Sequence, residues 1–239
     1  MFKYLAKVKE ISLDILFPPV CAICNKNLDK SGENRTACDK CFALIPILNT
    51  LSCPKCKARL ANNTKTCHQN IPYRLMAASA YNNEQIRNIV WKLKYEKRTF
   101  AAKTIAEIMT AHIELLNFNL KNYHIVPIPL HKSKERKRGF NQTFLIAKNL
   151  SINLGLPIIS RVLRRIKNTK AQADTRNFEE RKKNMENSFD IKNLFLIEKK
   201  NILLIDDVFT SGATINEAVR VLKKSGANKI IALVAARAG

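Results

Sequence analysis

Acidic residues are scarce in this 239-residue chain, which has 19 Asp and Glu against 42 Lys and Arg and a formal net charge of +23. A positive excess of this size is typical of proteins that meet a polyanion, namely nucleic acid, anionic lipid or a phosphorylated ligand. No run of eighteen apolar residues occurs, so the sequence predicts no membrane-spanning helix. Apolar residues make up 46% of the chain, which argues against intrinsic disorder and allows a packed core.

The N-terminal segment lacks the uninterrupted apolar stretch of a secretory signal. Residues 1–19 carry an apolar residue every three or four positions, interrupted by charges such as Lys7 and Asp14, and they end at Pro18 and Pro19. This spacing predicts an amphipathic helix that docks on its own protein in the cytoplasm. Weak association with the inner face of the cytoplasmic membrane is the alternative.

Cysteine is absent after residue 67, which places a domain boundary near residue 71. Disulfides are rare in a reducing compartment, so the three C-x-x-C pairs of residues 20–71 predict a zinc-binding module. The first two pairs have zinc-ribbon spacing and supply one complete set of ligands: Cys21, Cys24, Cys38 and Cys41. Nothing nearby resembles a general base, so we expect this zinc to be structural.

A second zinc site is less complete in the sequence. Cys53, Cys56 and Cys67 supply three thiolates, and no fourth cysteine follows them. His68 is the available fourth ligand, although two adjacent residues are an awkward pair of ligands for one ion. The sequence therefore leaves open whether one or two zinc ions bind.

Residues 72–239 alternate between strand and helix patterns. This alternation predicts an α/β domain with a mostly parallel sheet flanked by helices. Residues 161–187 interrupt the pattern and predict a long loop. The predicted strands are residues 74–81, 124–130, 201–208 and 229–236, and the predicted helices are residues 84–96, 99–117, 141–154 and 213–225.

The segment ILLIDDVFTSGATINEA, residues 202–218, carries the strongest chemical signal. A buried strand ends at Asp206 and Asp207, and a hydroxyl-rich turn with Gly212 leads into a helix. Backbone amides at a helix start, with a glycine that permits close approach, bind phosphate, and paired carboxylates suit a ribose diol or Mg²⁺. An acidic strand end followed by a Ser/Thr helix cap is the simpler alternative, but it explains only one acid and one hydroxyl.

This segment closely resembles the signature of type I phosphoribosyltransferases, which bind phosphoribosyl pyrophosphate (PRPP) together with Mg²⁺. The resemblance implies that Asp206 and Asp207 are the catalytic acids that meet the ribose hydroxyls. It also implies a loop that holds the 5-phosphate, made of Thr210, Ser211, Gly212, Ala213 and Thr214.

A second segment, VPIPLHKSKERKRGFNQTFLIA at residues 126–147, reads as a strand end followed by a basic loop. Cations with amide side chains opposite the phosphate turn suit a pyrophosphate, and the candidates are Arg136, Arg138, Asn141 and Gln142. The string RGFNQ resembles the ComF family of competence proteins, which couple a cysteine-rich zinc module to a phosphoribosyltransferase-like domain. Three further features match that family: KLKYEKR at residues 92–98, the C-x-x-C array, and the spacing of Gln172, Arg181, Asn184 and Phe189. The sequence departs from the family after Cys67, where a further C-x-x-C is common.

The ComF resemblance implies a protein that handles imported single-stranded DNA during natural transformation, with a competence helicase and other DNA-processing proteins as partners. Two basic segments support a DNA surface, with the candidate residues Lys132, Lys134, Lys137, Arg164 and Arg165. No helix-turn-helix or RNP-type motif is present, so we expect no base-specific reading. The alternatives are an active phosphoribosyltransferase on a nucleobase or amine, and a zinc scaffold for a helicase; the sequence leaves transferase activity open.

Overall fold

A computed structural model describes residues 19–28, 36–60, 67–168 and 184–238. The predicted N-terminal helix and most of the predicted loop at residues 161–187, with Gln172 and Arg181, lie outside the described residues. Within the described part of the chain, no helix is both long enough and apolar enough to cross a membrane.

The centre of the molecule is a six-stranded sheet. Four of its strands are parallel to one another, in the order β3 (Arg74–Ala80), β8 (Ile230–Arg237), β7 (Asn201–Phe209) and β4 (Tyr123–Pro127), with β4 at one edge of the sheet. These strands are almost wholly buried because helices cover both faces, as the near-continuous apolar runs of the sequence predict. The mostly parallel sheet is confirmed, although β4 is shorter than the predicted strand at residues 124–130.

Helices form a layer on each face of the sheet. One layer contains α2 (Glu84–Tyr95), α3 (Ala101–Leu115) and α5 (Gln142–Leu154), whose buried side chains form one core cluster. The other layer contains α6 (Ala213–Lys224), the hairpin of β5 (Leu163–Arg165) and β6 (Phe189–Ile191), and a short 3-10 helix (Leu194–Leu196).

The predicted basic loop is instead a helix, α4 (Lys132–Arg138). The His131 ring accepts a hydrogen bond from the Ser133 amide at 3.3 Å, which caps its first turn. Gly139, with a φ of 92°, ends it in the left-handed conformation. Local capping therefore orders a segment whose high charge suggested a loop, and it spaces the basic side chains at helical intervals.

The cysteine-rich module extends the sheet and shares its core. After α1 (Asp39–Ala43), strand β1 (Leu51–Ser52) pairs antiparallel with both β2 (Arg59–Leu60) and β3. Buried Ile23, Ile45 and Leu51 lie in the same cluster as α2 and α3. The module is therefore joined to the larger domain by hydrophobic packing as well as by the chain, and the boundary near residue 71 stays a prediction.

Candidate functional site

Asp207 is the centre of a buried polar cluster at the C-terminal end of β7. Its two carboxylate oxygens accept hydrogen bonds from Lys94 Nζ at 2.6 Å and from Gln142 Nε2 at 2.8 Å. Burial lowers the pKa of Lys94, but the charge and hydrogen bond of Asp207, together with the charge of Asp206, outweigh burial and raise it, so Lys94 stays protonated at neutral pH. Asp207 therefore ties the central sheet to both α2 and α5.

Asp206 faces the other side of the sheet because neighbouring strand residues alternate. It is half-buried, and its Oδ1 accepts the Asp207 amide at 2.9 Å. Burial and the neighbouring Asp207 charge raise the pKa of Asp206 to about 7, although Lys94 and Arg165 act to lower it. Both of Asp207's oxygens are hydrogen-bonded within the described residues, whereas only one of Asp206's is, so Asp206 retains the greater capacity for a ligand.

The turn from Thr210 to Thr214 joins the end of β7 to the first turn of α6. Gly212 adopts a φ of 79°, and a Cβ at this position would lie 2.7 Å from the Phe209 ring, so only glycine fits. The amides of the 12-residue helix α6 begin here, and its dipole favours an anion. The Thr214 side chain is buried, which leaves the Thr210 and Ser211 hydroxyls as the more accessible donors.

Two of the four predicted pyrophosphate residues are linked to the carboxylates. Arg138 Nη1 donates to Gln142 Oε1, and Gln142 in turn donates to Asp207. Asn141 is held by local contacts: its amide donates to the Ile128 carbonyl at 3.2 Å, and its oxygen caps α5. Arg136 is exposed on α4. The structure thus brings Arg138 and Gln142 to the acids and leaves Asn141 as an anchor of the turn.

Lys94 was not among the predicted site residues, although it lies in the segment KLKYEKR. The same segment supplies Lys92, which is buried and donates to the Ile23 carbonyl and to Asn25 Oδ1. Ile23 and Asn25 belong to the first C-x-x-C turn. One helix, α2, therefore contacts both the cysteine module and the carboxylates of β7.

The four predicted zinc ligands of the first site converge. The Sγ atoms of Cys21, Cys24, Cys38 and Cys41 all lie within 4.8 Å of one another, and those of Cys24 and Cys38 are 3.9 Å apart. A zinc–sulfur distance of about 2.3 Å requires a sulfur–sulfur edge of roughly 3.8 Å, so this set fits tetrahedral zinc. Burial, together with the neighbouring thiols, raises the pKa of Cys41, and a cation at the centre would relieve this.

A second cluster contains Cys53, Cys56, Cys67 and His68, whose ligand atoms also lie within 4.8 Å of one another. His68 Nδ1 lies 3.4 Å from Cys53 Sγ and 3.2 Å from Cys67 Sγ. The two adjacent residues therefore do converge, and His68 offers a fourth ligand atom where the cysteine count lacks one.

The first turn of each cluster has the same backbone geometry. In both, the amide of the leading cysteine donates to the carbonyl five residues later at 2.8 Å, and its carbonyl accepts from the amide four residues later. That later residue has a positive φ, 64° in Asn25 and 62° in Lys57. The two clusters are thus two copies of one metal-binding turn.

The two predicted basic segments meet in space. His131, which precedes α4, forms a bridge with Arg165 of β5. Lys132 and Lys137 are exposed on α4, and Arg164 is an exposed partner of Asp190 at 3.2 Å. Arg165 differs from these, because its guanidinium is half-buried at 5.6 Å from the Phe189 ring centre. Three of the five predicted DNA residues therefore lie on α4, and Arg164 and Arg165 lie on β5. The bridge between Arg165 and His131 joins β5 to the start of α4, and the Arg165 charge also acts on Asp206.

A cavity of about 860 Å³ lies away from these residues, where the parallel strands begin. It contains none of the acids or phosphate-turn residues. Its cationic lining residues are Arg74, Lys121, Lys223 and Lys229.

Family comparisons match both parts of the chain. A double zinc ribbon domain model matches residues 12–70, and a phosphoribosyl transferase domain model matches residues 141–239. The zinc expectation is supported by the ribbon match and by the two clusters of ligand atoms.

Several curated proteins are similar over most of the chain. Competence protein F of Haemophilus influenzae is 25% identical over 225 residues, which cover 88% of this chain and 93% of that protein. DNA utilization protein YhgH of Salmonella typhimurium is 26% identical with the same coverage. Competence protein ComFC of Streptococcus pneumoniae is 27% identical, covering 83% and 86%. Among solved structures, adenine phosphoribosyltransferase of Saccharomyces cerevisiae matches with a TM-score of 0.36 and 15% identity, covering 58% of this chain and 72% of that one.

Proposed function

Because the chain belongs to the ComF family, with a double zinc ribbon ahead of a phosphoribosyl transferase domain, we propose that it handles single-stranded DNA during DNA uptake and binds PRPP at the end of β7. The observation that carries the proposal is a continuous series of side-chain hydrogen bonds from the basic helix α4 to the carboxylates of β7. Arg138 bonds Gln142, and Gln142 bonds Asp207. The cationic surface and the phosphate site are therefore contiguous.

For PRPP, the turn from Thr210 to Thr214 holds the 5-phosphate through backbone amides and hydroxyls. Asp206, once ionised, accepts the ribose hydroxyls, and Asp207 positions Lys94 and Gln142 beside them. Mg²⁺ that accompanies PRPP would neutralise pyrophosphate oxygens close to Arg138.

Calorimetric titration with Mg²⁺ and PRPP tests this site. The double variant Asp206→Asn with Asp207→Asn should lose measurable binding, because both acids become neutral. Asp190→Asn is the matched control: it makes the same chemical change at an exposed acid on β6 and should bind like the wild type. Equal affinity in the double variant and the wild type would refute the assignment.

For DNA, the proposed surface is the exposed face of α4 beside Arg164. We would replace Lys132, Lys134 and Lys137 by Ala and measure the binding of a fluorescent oligonucleotide by anisotropy. Each lost phosphate contact should lower the slope of log affinity against log salt by about 0.7, so a loss of about 2 is expected in total.

A control variant removes the same charge from the opposite end of the parallel strands, where they begin. It replaces three exposed lysines by Ala, namely Lys121, Lys224 and Lys229. This variant should keep most of the wild-type affinity. If both triple variants weaken binding equally, the net charge rather than the α4 surface attracts DNA, and the proposed surface is wrong.

An active phosphoribosyltransferase is the second candidate function. It is favoured by the presence of the whole phosphate turn and both acids within the matched domain at residues 141–239. The carboxylates would then stabilise positive charge that develops on the ribose as pyrophosphate leaves, and Lys94 would hold Asp207 in position through their ion pair. Release of pyrophosphate from PRPP upon addition of a nucleobase or amine, abolished in the double Asn variant, would establish it.

A further inference from the structure

Two large aromatic side chains lie exposed on one face of α2. Trp91 and Tyr95 are 50% and 60% exposed, and their ring centres are 5.7 Å apart with the planes tilted by 42°. They are four residues apart, so they occupy successive turns on the same side of the helix. The opposite side of α2 is buried in the core through Ile89 and Leu93. Adjacent exposed aromatic rings of this size commonly mark an interaction surface.

The surroundings of the rings are cationic. Arg138 is the last residue of the basic helix α4, and its guanidinium lies 5.9 Å from the Tyr95 ring centre. Lys94, next to Tyr95, pairs with Asp207, and Glu96 is neutralised by Arg98 at 2.7 Å. An apolar protein partner would have to bury these charges, whereas a nucleic acid strand satisfies both features at once. Its phosphates meet the cations, and its bases stack on the rings.

We propose that Trp91 and Tyr95 form a base-stacking platform for a single-stranded nucleic acid whose phosphates are held by α4. Arg138 connects the two surfaces, because it ends the basic helix and packs against Tyr95. This inference rests on the proposed function for the identity of the strand. It adds the side chains that contact the bases, and it explains how an unpaired strand is preferred: in a duplex the base faces are already stacked.

Trp91 is the chain's single tryptophan, so its fluorescence reports on the platform directly. The wild type would be titrated with a single-stranded oligonucleotide and with an abasic oligonucleotide of the same length, which keeps the phosphates but has no bases. We expect quenching of the Trp91 emission by the first only. Equal quenching by both strands, or none by either despite binding, would overturn the platform.

Affinity provides the second measurement. Replacing both Trp91 and Tyr95 by Leu should weaken binding of the normal strand about tenfold or more, and binding of the abasic strand hardly at all. Trp91→Phe with Tyr95→Phe keeps two rings and should restore most of the affinity. The control is Phe195→Leu, which changes an 85% exposed aromatic in the 3-10 helix and should bind like the wild type.

The outcomes separate the platform from the wider proposal. If the Leu variant keeps full affinity while the triple α4 variant loses it, the platform is wrong and the DNA-handling function stands. If the wild type binds neither strand at low salt, both are wrong. Circular dichroism and zinc content of the Leu variant confirm that it is folded, and the Phe variant gives a second result if it is not.

Discussion

Replacing Asp206 by Asn should stabilise the protein at neutral and alkaline pH. Asp206 is half-buried beside Asp207, and this environment raises its pKa from 3.8 to about 7. The folded state therefore holds the Asp206 proton more tightly than the unfolded chain does. That contribution to stability is fully present below about pH 4 and is lost as the pH rises through about 7. Asn cannot ionise, and its oxygen can still accept the Asp207 amide.

The magnitude follows from the pKa difference. The difference between a pKa of 3.8 and one of about 7 corresponds to about 4 kcal/mol at most. Solvent reaches part of the Asp206 side chain, so the realised effect should be smaller. We expect the free energy of unfolding of the variant, relative to the wild type, to increase by about 1–3 kcal/mol between about pH 4 and about pH 7 and to level off at higher pH.

Urea denaturation at several pH values, with a constant zinc concentration, measures this difference. Comparison with the wild type at each pH cancels effects that both proteins share, including protonation of the zinc ligands. Asp190→Asn, at an exposed acid on β6, should show no such pH-dependent gain. A difference for Asp206→Asn that is independent of pH would refute the environment assigned to Asp206.

Three further predictions concern the turn, the module contact and the second metal cluster. Gly212→Ala should lower the free energy of unfolding by about 1–3 kcal/mol and abolish PRPP binding, because the new Cβ would lie 2.7 Å from the Phe209 ring. Denaturation measures the first effect and calorimetry the second. A variant as stable as the wild type would show that the turn tolerates a Cβ. Lys92→Met should lower the free energy of unfolding by about 1–3 kcal/mol and speed zinc release to a chromogenic chelator, because it removes the buried donor that Ile23 and Asn25 share. Among the described residues, the Ile23 carbonyl then keeps only the side-chain amide of Asn88, and Asn25 Oδ1 keeps only Arg98. Lys148→Met, on an exposed part of α5, is the control. Elemental analysis should find two zinc ions per chain, falling to one in His68→Ala, and an unchanged content in that variant would exclude His68 as a ligand.

Features encoded by near neighbours were predicted well from the sequence. The bounds of β7 and α6 differ from the predicted ones by one residue at their C-terminal ends, because a β-branched strand and a glycine turn are local signals. The first cysteine cluster could be predicted from the sequence for the same reason, because each C-x-x-C turn places two ligands by itself.

Features that depend on contacts between residues far apart in the sequence could not be predicted from the sequence. Lys94 was overlooked because a lysine on a helix is usually a solvated charge, and only the packing of α2 against β7 brings it to Asp207. Nothing in the sequence showed that Asn141 caps α5 and donates to the Ile128 carbonyl; its role as a ligand-binding residue stays a prediction. The basic segment was interpreted as a loop because its charge hid the caps at His131 and Gly139.

The sequence by itself determined the mostly parallel sheet, and it predicted the two-part organisation, the first set of cysteine ligands and the phosphate turn after β7. Each of these rests on spacing along the chain or on the direction of consecutive strands. Only the tertiary structure decided which acid is tied up and which retains capacity for a ligand, because burial and hydrogen bonding separate Asp207 from Asp206. The tertiary structure alone also decided what lies next to the basic helix α4. Packing of α2 brings Tyr95 against Arg138 and so places the exposed aromatic rings beside α4.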